Sequence, residues 1–157
     1  MSTLLSFPNP VNEKAARVVA AGVALISAVI LATGWQWLLA VLAYGFWARV
    51  LTGPTLSPLG RFATRVAAPR LGPPRYVPGP PKRFAQGIGA VVTTVAAICA
   101  LALGWTTVGI VLTALMVVFA TLESVFAFCV GCKIFAVLMT TGVIPDSICA
   151  ECANIWA

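Results

Sequence analysis

The 157-residue chain contains no histidine and only four acidic side chains, and Asp, Glu, Lys and Arg together make up 9% of it. Without histidine, the usual acid–base triads, haem ligation through imidazole and mixed Cys/His metal sites are excluded. So few charges could not cover a water-facing surface, since a soluble domain is about a quarter charged. No glycine-rich phosphate-binding loop is present. Ten Lys and Arg residues leave a net charge of +6, but they flank apolar runs, so nucleic acid is not an expected partner. The opening MSTLLSFPNPVNEK has neither a basic start nor a small-residue cleavage site after its first apolar run, so no secretory signal is expected.

What is present is apolar: 61% of residues, with a mean hydropathy of +1.01. Lipid is therefore the expected solvent and the bilayer the first partner. Four apolar segments stand out, at approximately residues 15–33, 35–51, 84–103 and 105–128. Each approaches the roughly 20 residues that a helix needs to cross a hydrocarbon core. Gly34 and Gly104 break what would be overlong helices, and each is followed by tryptophan. Trp35, Trp37 and Trp105 suit an aromatic interface belt. The pattern predicts an all-α membrane protein, a single membrane domain over residues 1–157, with four transmembrane helices arranged as two hairpins. A cytoplasmic loop over 52–83 and a cysteine-containing tail over 129–157 complete it.

Charge orients the spans. Lys14 and Arg17 precede the first, and Arg49, Arg61, Arg65, Arg70, Arg75, Lys82 and Arg83 lie between the second and third or at their ends. Lys133 follows the fourth, and the two tips carry no Lys or Arg. Positive residues stay inside, which places both termini and the central loop in the cytoplasm. Within that loop, SPLGRFATRVAAPRL spaces Leu59, Phe62 and Val66 helically, with Arg61 and Arg65 on another face. A short helix lying on the anionic inner leaflet is expected. PPRYVPGPPKRF, rich in proline, is expected to be extended, as a stiff connector or as a ligand for a partner domain.

The segment Leu31 to Trp35 reappears with one change at Leu101 to Trp105, and Val41-Leu42 matches Val111-Leu112 at the same offset. A parallel repeat of two hairpins would explain this, as would chance among alanine-rich helices.

The chemistry resides in sulfur. Cys129, Cys132, Cys149 and Cys152 form C-x2-C-x16-C-x2-C, within the spacing of four-thiolate zinc sites. Zinc or iron is thus a candidate ligand, although the connector is largely apolar and Lys133, rather than glycine, follows the first pair. A cytoplasmic tail faces a reducing compartment, which disfavours a permanent structural disulfide. A bound metal, a cycling dithiol pair and a sulfur-accepting thiol remain. Thr141-Gly142 marks a helix end, and Pro145 with Asp146 suits the start of another helix bearing Cys149 and Cys152 near its positive end. Cys129 is read as ending the fourth span. Cys149 is therefore expected to attack first, with Cys152 or the Cys129/Cys132 pair resolving. Packing alone is the alternative for the pairs, and it is the reading for the lone Cys99.

Glu123 is the single acidic residue inside an expected span. It is a candidate proton relay to the thiols, or else an ion-pair partner of Arg49, Arg17 or Lys133. Thr93-Thr94 and Thr106-Thr107 are read as making helix hydrogen bonds.

PNPVNEKAARV, PGPPKRFAQ, FCVGCK and IPDSICAEC together resemble a family of small bacterial integral membrane proteins classed as a domain of unknown function. The resemblance covers nearly the whole chain. It implies a bacterial inner-membrane location and association with rhodanese-type sulfurtransferases and thioredoxin-like proteins, hence thiol or sulfur chemistry at Cys129, Cys132, Cys149 and Cys152. The leading expectation is a thiol–disulfide or sulfur relay with such a soluble partner. The alternatives are a structural four-cysteine zinc or iron knot, and a small transporter of a sulfur species using Glu123. The charge pattern predicts that an enzyme reporter fused after Ala157 works only in the cytoplasm, while a cysteine substituted for Trp105 is labelled only from outside. A C-terminus labelled from outside the cell would overturn this orientation.

Overall fold

The computed structural model describes residues 5–149 and Cys152. Part of the CAEC motif, including Glu151, lies outside the described residues. Strand β1 (Val11–Asn12) leads into helix α1 (Glu13–Thr33). The Asn12 side chain caps the helix by accepting from the Lys14 N–H at 3.1 Å, and Glu13 complements the positive helix end. α1 stops at Gly34, which takes φ 74° and donates its N–H to Ile30 O, a conformation glycine reaches without a Cβ clash. Trp35 and Trp37 stack in the exposed tip, with ring centroids 6.5 Å apart, before α2 (Leu38–Thr52).

Next come α3 (Pro58–Phe62), a π-helical turn Ala63–Ala67 and α4 (Ala68–Arg70), one continuous helical run. The expected loop helix is therefore present. Its buried face consists of Gly60, Ala63 and Ala68, with Leu59 half-buried against Gly22 of α1 and Phe62 exposed. Strand β2 (Tyr76–Val77) pairs antiparallel with β1, Val11 opposite Val77. Helix α5 (Gly79–Ala97) then runs on through a π-helical turn, Ile98–Ala102. The extended reading of PGPPKRF is thus corrected, because Gly79 to Arg83 are helical. Proline is accommodated in a first turn, where its missing N–H would have had no partner. Gly104 turns the chain at φ 70° into α6 (Thr106–Phe126), which is followed by α7 (Val130–Thr140) and a 3-10 turn, Asp146–Ile148.

Among the described residues, three helices are long and apolar enough to cross a membrane: Glu13–Thr33, Gly79–Ala102 and Thr106–Phe126. α2 is apolar but spans only 15 residues, because Trp35 to Trp37 form the tip instead of extending the helix. The helices joined at each tip are not those that pack most extensively. α1 lies chiefly along α6, and α2 along α5. Exchanging the two hairpins maps one of these contacts onto the other. Six pairs at the offset of the repeated tips are buried in both members, among them Val23 with Thr93 and Leu39 with Gly109, whereas Ala48 and Arg49 are buried and their counterparts Val118 and Phe119 are exposed.

Two of the basic residues cap neighbouring helices. Arg17, near the start of α1, donates to Ser124 O at 2.9 Å and Val125 O at 3.1 Å, the terminal carbonyls of α6. Arg83, near the start of α5, donates to Val50 O at the end of α2 at 3.0 Å. Each antiparallel pair is therefore locked at one end by an arginine placed on carbonyls that lack an intrahelical donor. Thr93 and Thr94 donate to carbonyls of their own helix, and Trp47 of α2 donates to Thr94 Oγ1 at 2.9 Å. Cys99 is buried and unbonded.

A Cβ on Gly89 would collide with the buried Phe46 ring. Gly89→Val is expected to lower stability by roughly 1–3 kcal/mol through overpacking, and Arg17→Met by about 1 kcal/mol through loss of the cap. Thermal unfolding in detergent tests both, and unchanged melting for Gly89→Val would contradict the tight α2–α5 contact.

Candidate functional site

The chain leaves α6 at Ala127, which adopts φ 55°. That left-handed conformation is uncommon outside glycine and is held here by the surrounding packing. Cys129 consequently does not end the membrane helix as expected. It is the N-cap of α7: its backbone is extended at φ −89° and ψ 102°, and its Sγ accepts from the Cys132 N–H at 3.2 Å. Cys132 is buried and Cys129 half-buried. α7 presses on α5 so closely that a Cβ on Gly131, between the two cysteines, would meet Ala85 backbone at 2.6 Å. One turn further, Phe135 packs edge-on against Phe84, with centroids 5.6 Å apart.

The second pair differs. After Pro145 the chain forms a 3-10 turn, Asp146–Ile148; Cys149 follows it in extended backbone at φ −158°, and its carbonyl accepts from the Cys152 N–H at 3.2 Å. The expected helix bearing Cys149 near its positive end is absent at Asp146 to Cys149, which removes the reason for placing the first attack there. Cys152 is fully buried against Phe135 and Met139 of α7, with Cys149 and Phe84 at the edge of the same cluster. Both pairs therefore rest on the stripe of α7 that carries Cys132, Phe135, Ala136 and Met139.

Each pair is closed on itself as a disulfide, Cys129 with Cys132 and Cys149 with Cys152, with Cα atoms 5.2 and 5.3 Å apart. The four sulfurs are not assembled into one ligand set, and among the described residues no group of three or more Cys, His, Asp or Glu side chains is arranged to hold an ion. A shared four-thiolate zinc or iron centre would require both disulfides to be reduced first.

Glu123 pairs with Lys82, a residue read from sequence only for its bearing on topology, and not with Arg49, Arg17 or Lys133. Both side chains are nearly buried, 14% and 12% exposed. Lys82, Glu123 and Cys129 line one apolar cavity of about 180 Å³ between α1, α5, α6 and α7. A carboxylate held by an ammonium thus shares a mostly apolar cavity with the N-cap sulfur. The sequence signal for Lys82 was available, since the helix start at Gly79-Pro80-Pro81 places Lys82 in the first turn. The stop at Ala127 carried no such signal, because alanine ordinarily continues a helix.

Once both disulfides are reduced, the α7 N-terminus and the Cys132 N–H favour a thiolate at Cys129. Cys129 is expected to be alkylated faster than Cys132 and Cys149 at neutral pH, followed by mass spectrometry of labelled peptides. Gly131→Ala, which pushes α7 off α5, is expected to narrow that difference. Faster labelling of Cys149 would overturn the assignment.

No curated protein and no solved structure matches the chain. The family model described as Domain of unknown function (DUF4395) matches residues 11–140, a stretch that takes in Cys129 and Cys132 and ends before Cys149. The chain belongs to that family.

Proposed function

We propose that this protein is a four-span thiol–disulfide carrier of the inner cell membrane, in which the Cys129–Cys132 pair exchanges electrons with a soluble thioredoxin-like or rhodanese-like protein at the cytoplasmic face. The observation that carries this reading is the placement of Cys129: half-buried, at the N-cap of α7, bonded to a buried Cys132. A sulfur in that position is the reachable one, and the helix end stabilises it as a leaving or attacking thiolate. The fourth span is α2. It lies along α5 and exposes Val41, Tyr44, Trp47 and Leu51 on its other side, a face suited to lipid. An even number of spans keeps the termini on one side, and the excess of Lys and Arg puts that side in the cytoplasm.

The exchange balances as follows. A partner thiolate attacks Cys129 Sγ, the bond to Cys132 breaks, and Cys132 departs as a thiolate that takes up a proton. The partner's second thiol loses its proton, attacks the partner sulfur of the mixed disulfide and releases Cys129 as a thiolate. The partner dithiol is oxidised to a disulfide and the Cys129/Cys132 pair is reduced by two electrons. Glu123, which lines the same cavity as Cys129, exchanges the proton that Cys129 gains or loses. The Cys149–Cys152 pair, packed on the same stripe of α7, serves as a second store of the same oxidising equivalents.

Cys132→Ser leaves Cys129 without its resolving thiol and is expected to accumulate a mixed disulfide with a reduced thioredoxin-like protein whose own resolving cysteine has been replaced, after oxidation with diamide. The complex should dissolve in dithiothreitol, survive Cys149→Ser/Cys152→Ser and vanish in Cys129→Ser/Cys132→Ser. Trapping through Cys149 alone, or one zinc per chain with all four thiols protected from alkylation, would overturn the proposal.

A further inference from the structure

A second site lies in the cavity next to the one that reaches Cys129 and stands independently of the thiol reading. Arg49, near the end of α2, is 6% exposed. Its Nε donates to Gln86 Oε1 at 2.8 Å and its Nη1 to Ser57 Oγ at 3.0 Å, and the guanidinium carbon lies 4.7 Å from the Phe46 ring centroid. All of these partners are neutral. The acids that form ion pairs among the described residues are engaged elsewhere, Glu13 with Arg75 and Glu123 with Lys82. Buried charges are ordinarily matched by an opposite charge, because removing a cation from water is costly. Arg49 has no such match within the described protein.

The guanidinium lines a cavity of about 490 Å³, bounded by the N-terminal arm, α1, the end of α2, the α3–α4 run and the start of α5. Phe7, Ala16 and Val19 supply apolar wall, while Gln86 and Lys82 supply further polar groups. A space of this size matches small organic molecules, whose sites run from roughly 300 to 1,000 Å³. It shares Ala16, Val19, Lys82 and Gln86 with the smaller cavity that reaches Cys129.

We propose that this cavity binds an amphiphile with an oxyanionic head, a phosphate above all, whose head pairs with Arg49 and whose apolar body lies against α1. Arginine suits this role because its planar fork of N–H groups matches the oxygens of a phosphate or carboxylate, and it keeps its charge when desolvated. Ser57 and Gln86 hold the fork in place by taking two of its donors. The head belongs either to a free alkyl oxyanion or to an anionic phospholipid of the inner leaflet.

The test uses the full-length protein in neutral maltoside, read by thermal unfolding and by tryptophan fluorescence. Octyl phosphate is titrated in one arm. In the other, phosphatidylglycerol is compared with phosphatidylcholine in mixed micelles. Saturable stabilisation by octyl phosphate alone identifies a free anion, and stabilisation by phosphatidylglycerol over phosphatidylcholine identifies a lipid head. Arg49→Gln is expected to weaken the effect tenfold or more. Ala16→Leu fills the cavity, leaves the Arg49 hydrogen bonds intact and is expected to do the same, so the test does not depend on whether Arg49→Gln folds. Absence of stabilisation by either amphiphile, or equal stabilisation of the wild type and Ala16→Leu, overturns the site. Mixed-disulfide trapping at Cys129 reports separately on the thiol reading.

Discussion

The antiparallel pairing of α1 with α6 and α2 with α5, closed at one end by Arg17 and Arg83, is the constraint on which the remaining architecture rests. A helix that ends near lipid leaves carbonyls without donors, and nothing apolar can satisfy them. In this chain the answer is a cation from the first turns of the neighbouring antiparallel helix, used once in each half of the molecule. Arg17 and Arg83 therefore tie together the helices that pack most closely. With α6 held against α1 and α5 held against α2, the end of α6 falls where α7 can fold back onto α5.

That fold-back creates the sulfur site. Gly131 admits the Ala85 backbone, Phe135 meets Phe84, and Cys132 is carried into the interior while Cys129 remains at the rim. The left-handed Ala127 is a local disadvantage accepted for this placement, of the kind that clusters at functional positions. The ion pair between Lys82 and Glu123 lines the same cavity, so a disulfide sulfur and a carboxylate share one small, mostly apolar space. Arg49 lines the neighbouring and larger space, a buried charge without a countercharge among the described residues. The two proposals use different residues of one continuous interior, and neither requires the other.

Membership of a family of unknown function brings no activity with it, so the functional argument rests on geometry alone. Within that geometry, the two CxxC pairs are not equivalent. The first straddles a helix start that is anchored to a membrane helix, and the second follows a single 3-10 turn. Equal spacing in sequence thus hid unequal chemistry.

Composition and periodicity alone were enough to determine an all-helical, lipid-adapted chain, the tips at Gly34 and Gly104, the helical loop segment and the local closeness of each cysteine pair, because each depends on neighbours a few residues apart. Tertiary packing decided the rest. It placed Lys82 on Glu123, buried Arg49 with no acid against it among the described residues, started α5 at Gly79 among prolines and stopped α6 at Ala127, moving Cys129 from the end of one helix to the start of the next. These outcomes depend on which helices lie side by side, an energy shared between residues 30 to 110 positions apart that no local window contains.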